Sequence, residues 1–251
     1  RFISKFYTLT PSGLLPQSDH PFGMSLRYHD WELATADKFN LDIFAWDTDK
    51  QQWTAQNANL LINPATHRPY LATSSNRFTT YALGVAPRWY DSFHHLEGLQ
   101  SRTNVTIARQ TTRFENLALT TDAITGTAVS QPITPTFGIM KWGVLSFQTA
   151  DAPGGDITVD ILSTTGEVLY RNVSSGTDFS DLLNPALHRA IQLRVNLTRT
   201  LSTDPSPQLL DWRMTWQEAS DQTASIKGWI DTAVCEQLSG WAGDMLNPNQ
   251  A

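Results

Sequence analysis

The run Ile191-Gln192-Leu193-Arg194-Val195-Asn196-Leu197-Thr198 sets an apolar residue at every second position. In a β-strand successive side chains point to opposite faces, so such a stretch buries one face and wets the other. The same period returns at Trp212, Met214 and Trp216, at Ile157, Val159 and Ile161, and at Met24, Leu26 and Tyr28. No long stretch repeats at the helical spacing. The chain therefore reads as all-β: two antiparallel β-sandwiches in tandem plus a partial C-terminal β segment. Leu193, Val195, Trp212, Met214 and Trp216 should share one core, with helix confined to single turns near 29–37 and 180–187.

At 251 residues the chain has room for two sandwiches of ~100 residues each. Charged residues make up only 17% and there are nine tryptophans, a composition that suits pleated surfaces. The net charge of −6 argues against nucleic acid, whose phosphates call for a basic stripe. Cys235 is the only cysteine, so neither an intrachain disulfide nor a cysteine-built zinc site can form. No run approaches the ~20 apolar residues that span a bilayer, so membrane insertion is not expected. The sequence opens on Arg1 and stops at Asn249-Gln250-Ala251. It reads as a piece of a longer protein, and a missing signal peptide then carries no information. On that reading Cys235 is a free thiol here, with any partner beyond Ala251.

Turn residues punctuate the strands. A first block, 1–87, holds strands near 2–10, 23–28, 39–46 and 77–83, with Asp47-Thr48-Asp49-Lys50 as a hairpin loop leading to Trp53. The stretch 88–102 lacks a period and reads as a linker carrying Trp89, Tyr90 and His94-His95. A second block, 103–217, holds a hairpin whose strands, 142–149 and 156–162, flank Asp151-Ala152-Pro153-Gly154-Gly155. Its last two strands are separated by Asp204-Pro205-Ser206-Pro207. The remainder, 218–251, repeats a Gly-Trp element at Gly228-Trp229-Ile230-Asp231 and Gly240-Trp241-Ala242-Gly243-Asp244 and reads as a partial third module.

None of the common hydrolase, metalloprotease, phosphate-binding or dinucleotide-binding motifs occurs, and no enzyme is expected. His94-His95-Leu96-Glu97 is a poor metal site, because adjacent residues on a strand face opposite ways. The better candidates lie at turns. Trp46 and Trp53 flank one polar loop that contains Asp47 and Asp49, so stacking rings and carboxylates could meet a glycan in one place. Asp47 and Asp49 also offer hard oxygens to calcium, and Asp151 and Asp156 form a second oxygen cluster. Against this, Asp is favoured in turns because it bonds its own backbone.

Several motifs carry a resemblance. Trp142-Gly143-Val144-Leu145-Ser146-Phe147, Ile157-Thr158-Val159-Asp160-Ile161-Leu162, Asn172-Val173-Ser174-Ser175-Gly176 and Leu210-Asp211-Trp212-Arg213-Met214-Thr215-Trp216 follow in order. The second block resembles galactose-binding-like jelly rolls of large secreted or surface bacterial proteins. The first block, with Leu41-Asp42-Ile43-Phe44-Ala45-Trp46-Asp47 and Arg77-Phe78-Thr79-Thr80-Tyr81-Ala82-Leu83, resembles ZU5-like or immunoglobulin-like sandwiches. The tail, with Cys235, Gly240-Trp241-Ala242, Asp244 and Pro248-Asn249, is similar to the start of another extracellular β module. The resemblance implies a secreted or cell-surface protein, with structural calcium near such loops and no other cofactor. It implies a structural or adhesive spacer; the alternative is a carbohydrate-binding module attached to a secreted hydrolase. Partners would be surface glycans or other domains of the same polypeptide. Such folds host many roles, so fold alone does not choose among them.

Overall fold

The computed structural model describes residues 7–9, 17–27, 39–62, 69–93, 96–109, 115–135, 138–218, 226–234 and 237–244. In chain order the strands are β1 (Tyr7–Thr8), β2 (Gln17–Arg27), β3 (Leu41–Asp47), β4 (Gln52–Ala55), β5 (Asn59–Ile62), β6 (Pro69–Arg77), β7 (Thr80–Val85) and β8 (Arg88–Asp91). They continue with β9 (Leu99–Thr103), β10 (Val105–Arg109), β11 (Glu115–Leu119), β12 (Thr125–Ser130), β13 (Ile139–Ala150) and β14 (Gly155–Ser163). The last are β15 (Val168–Tyr170), β16 (Thr177–Asp178), β17 (Ile191–Arg199), β18 (Gln208–Glu218), β19 (Ile226–Val234) and β20 (Gln237–Asp244). The fold is all-β, as the period-two pattern requires. Among the described residues the only helical element is one 3-10 turn, Leu96–Gly98, and no helix is long and apolar enough to cross a membrane.

Two antiparallel sheets, β1-β7-β3-β4 and β2-β6-β5, make the first sandwich. Leu41, Ile43 and Ala45 of β3, with Tyr81 and Leu83 of β7, meet Leu26 and Leu71 from the other sheet in one buried cluster. The Tyr81 hydroxyl satisfies itself inside this core by donating to the carbonyl of Arg77 at 2.6 Å.

The second sandwich pairs the sheet β10-β11-β18-β13-β16, joined by β8 along β18, with the sheet β15-β14-β17-β12-β9. Leu193, Val195, Trp212, Met214 and Trp216 lie buried in a single core with Trp142, Leu145, Val159 and Ile161. The outer face of β17 is polar but not simply wet. Asp160 accepts from Arg194 Nη2 at 2.7 Å and from Asn196 Nδ2 at 3.1 Å, which makes a ladder across β14 and β17. Arg199, at the end of β17, donates to the carbonyls of Thr120, Thr121, Ala123 and Asp204 and so ties two loops together.

Four sequence expectations need comment. First, 88–102 is not a linker: it contains β8, paired to β18 through Arg88↔Thr215, Trp89↔Met214, Tyr90↔Arg213 and Asp91↔Trp212, and most of β9, paired to β12. All four residues of β8 are buried, so no alternation marks it. Second, 142–149 and 156–162 do not form a hairpin. β13 pairs with β18 and β16, β14 with β17 and β15, and the turn between them carries the chain from one sheet to the other. Third, 180–187 forms successive turns, with Leu183 N–H donating to Phe179 O and His188 N–H to Asn184 O; Pro185 interrupts any helix. Fourth, the helical turn expected at 29–37, the His94-His95 pair and Cys235 lie outside the described residues.

The chain divides into two units after Glu218. In the second unit β19 and β20 pair as an antiparallel hairpin that sets Trp229 opposite Trp241, so the repeated Gly-Trp element falls on two partnered strands.

Candidate functional site

The loop between Trp46 and Trp53 is a hairpin, β3 to β4, with Trp46 directly opposite Trp53. Their rings meet edge to face, centroids 5.5 Å apart and planes at 64°, the arrangement that aromatic quadrupoles favour. Both are half-buried. Asp47 is turned inward. Its Oδ1 accepts the N–H groups of Asp49 and Lys50, each at 3.1 Å, and its Oδ2 lies 3.3 Å from Arg77 Nη1. The Lys50 N–H, followed by the Arg77 guanidinium, holds this carboxyl below the usual range against the opposing effect of burial. Asp47 thus closes the turn, and Asp49 is the exposed carboxylate of the pair.

The structure therefore brings Trp46, Trp53, Asp47 and Asp49 to one hairpin. Asp151 and Asp156 sit exposed at either end of the β13–β14 turn in the other sandwich. The donor set does not fit calcium at the hairpin, because both Asp47 oxygens are engaged and Arg77 brings a competing positive charge. Among the described residues no three His, Cys, Asp or Glu side chains converge on a common metal position. Trp89 and Tyr90 are buried, at 5% and 6% exposure, and are not loop aromatics open to a ligand.

A second constellation was not foreseen. Asp42 lies on β3 between core residues Leu41 and Ile43, and alternation sends it to the opposite face of the sheet. There it is fully buried. Its oxygens accept the N–H groups of Ile43 and Ala58 at 2.8 Å and of Asn57 at 3.1 Å. Arg88 reaches it from β8: Nη1 lies 3.1 Å from Asp42 Oδ2, while Nη2 donates to the carbonyls of Leu41 and Ala58. Nη1 is near enough for a Coulombic pair but off hydrogen-bonding geometry, and Arg88 Nε has no partner. Burial outweighs the pairing in both groups, raising the Asp42 pKa and lowering that of Arg88 to about 10.

The ring of Tyr90 continues the cluster. The Arg213 guanidinium lies 4.7 Å from its centroid and that of Arg88 5.5 Å, within cation–π range. Burial pushes the Tyr90 hydroxyl up and Asp211 up to about 6. On the other face of β8, Asp91 is 2% exposed, and burial raises it to about 7 although its Oδ1 accepts Phe93 N–H at 2.8 Å. Gly98 packs so close that a Cβ there would come within 2.0 Å of Asp91 Oδ2. One sequence signal points to β8: Arg88 and Asp91 stand three positions apart with only Trp89 and Tyr90 between them, a combination that is buried only when each charge has partners.

No protein-family model matches the chain, and no curated protein matches it. Among solved structures, one described as Arthrobacter globiformis T6 isomalto-dextranse complexed with panose is similar, at 11% identity and a TM-score of 0.31. The similarity covers 80% of this chain and 35% of that one. The chain thus spans about a third of that protein's length, and likeness at this level carries no argument about activity.

Proposed function

We propose that this chain is a non-enzymatic structural and adhesive spacer from a secreted or cell-surface multidomain bacterial protein. On this reading the first sandwich is ZU5-like or immunoglobulin-like, the second is a galactose-binding-like jelly roll, and 218–251 begins a third module. The observation that supports it best is the Arg88–Asp42 junction. β8 is hydrogen-bonded into the sheet of the second sandwich, while its Arg88 side chain is buried against β3 of the first. Two modules joined by a strand and a buried ion pair hold their spacing, which a freely jointed linker does not. Limited proteolysis tests this. Cleavage within 86–104 should be no faster than cleavage within the sandwich cores; early cleavage there, releasing two folded halves, would sink the reading.

The carbohydrate-binding alternative rests on the half-exposed Trp46–Trp53 pair beside the exposed Asp49. A glycan array with wild type and the Trp46→Ala/Trp53→Ala variant decides it. Binding that disappears in the variant supports the alternative, and binding that survives rules this hairpin out as the site.

A further inference from the structure

Among the described residues β9 is the terminal strand of its sheet, β15-β14-β17-β12-β9. A terminal strand presents unpaired backbone groups to any extended chain that reaches it. We propose that this edge takes up an extended peptide as one more antiparallel strand, and that the peptide sets a carboxylate across from Arg102.

The register says which backbone groups are open. Arg199 N–H donates to Ile124 O at 2.8 Å, so Ile124, Gly126 and Ala128 turn their N–H and C=O groups toward β17. Thr127 and Val129 then turn theirs toward β9, where they face Thr103 and Ser101. Arg102, between those two, is left with its N–H and C=O directed away from the sheet. The register shift in this pairing lies at Val129/Ser130, so the stretch from Ser101 to Thr103 is regular. Space lies beside it: a cavity of about 240 Å³ is lined by Leu99, Gln100, Ser101 and Arg102, all from this one strand. Leu99 is buried and the other four residues of β9 are exposed. An adjoining cavity of about 580 Å³ shares Gln100 and Ser101 and includes Val129 of β12. Every second side chain of an added strand would face that side.

The chemistry of the edge selects the strand. Alternation puts Ser101 and Thr103 on the outer face with Val129 and turns Arg102 to the core side, opposite Ala128. A charge at that place on a terminal strand turns away an all-apolar newcomer, which would cover it unpaired. A newcomer with a carboxylate directly across supplies the partner. From Leu99 to Arg109 the sequence has two arginines and no acidic residue, which favours an acidic strand along the whole edge. A second copy of this chain centred on Arg102 would instead set two guanidinium groups opposite each other. This inference goes beyond the spacer reading and does not depend on it.

The test is titration of the whole chain with acetyl-Thr-Val-Glu-Val-Thr-amide, its Glu-to-Gln and Glu-to-Lys analogues, and a form N-methylated at the glutamate. Backbone amide NMR spectra are the readout. The glutamate peptide should shift the Gln100–Thr103 amides and slow exchange of the Arg102 N–H. It should bind about threefold more tightly than the glutamine peptide, with the lysine peptide weakest, as expected for one cross-strand ion pair. Arg102→Gln should remove that ranking while the glutamine peptide binds as before. The N-methylated peptide should not bind, and Arg102→Pro, which removes an outward N–H at an edge position, should abolish binding in a folded protein. The proposal is overturned if no peptide binds, if the three bind alike, if the shifts fall away from β9, or if the N-methylated peptide still binds. It is also overturned if the β9 amides shift with protein concentration alone, which would make a second copy the occupant.

Discussion

Asp42 and Arg88 carry the greatest consequence for their size. Removing one member of a buried pair strands the other charge, which typically costs about 3–5 kcal/mol. Arg88→Ala should therefore destabilise the protein by about that amount in chemical denaturation, whereas Asp42→Leu with Arg88→Met should recover most of the loss. A double variant no more stable than Arg88→Ala would mean that the pair is not the source. Trp212 is fully buried between Trp89 and Phe93, with centroid distances of 5.8 and 5.5 Å. Trp212→Ala should cost about 3–5 kcal/mol, and a loss under roughly 1 kcal/mol would place it outside the core. Asp91 acts in the opposite sense to an ordinary paired carboxylate. Its pKa is raised to about 7, so its favourable contribution is complete below the unfolded value and is lost as pH rises through about 7. Asp91→Asn should melt higher than wild type at pH 8 and lose that advantage near about pH 4.5. Equal melting points for the two proteins at pH 8 would show that Asp91 is not a buried ionising group.

Among the elements, β8 most needs direct observation. If it is a strand of the second sandwich, its paired amides should exchange with deuterium as slowly as those of β18. Fast exchange throughout 88–91 would restore the linker reading. The reason β8 escaped the sequence is physical. Alternation reveals a strand only when its two faces differ, and Arg88, Trp89, Tyr90 and Asp91 are all buried. The strands with one core face, β3, β14, β17 and β18, were legible for the converse reason. The turn at Asp151-Ala152-Pro153-Gly154-Gly155 was also legible, but turn chemistry does not say which sheet receives the next strand. The β3–β4 hairpin was legible because its partners are local in sequence. The Asp42–Arg88 junction was not, because it joins residues 46 positions apart in sequence across two sandwiches. The hairpin itself should show aromatic coupling: a double-mutant cycle on Trp46 and Trp53 should give about 0.5–1.5 kcal/mol. Strict additivity would mean that the rings do not support each other.

At the scale of the molecule, charge and rigidity meet in the pH profile. Burial raises Asp42, Asp91 and Asp211, so their contributions fade as pH rises through values up to about 7. Asp47 and Asp160 are depressed. Lys50 N–H and Arg77 lower Asp47, and Arg194, Asn172 and Asn196 outweigh the upward effect of burial on Asp160. Their contributions are present above the ordinary carboxylate range and fade as pH falls through it. Melting temperature should thus peak on the acidic side of neutrality. The central claim is that the two sandwiches form one rigid body through β8. Spin labels at Thr48→Cys and Ser174→Cys, both exposed positions, in a Cys235→Ser background would report it by double electron–electron resonance. The account predicts a single narrow distance distribution that broadens with Arg88→Ala, whereas a broad distribution in the unaltered junction would contradict it.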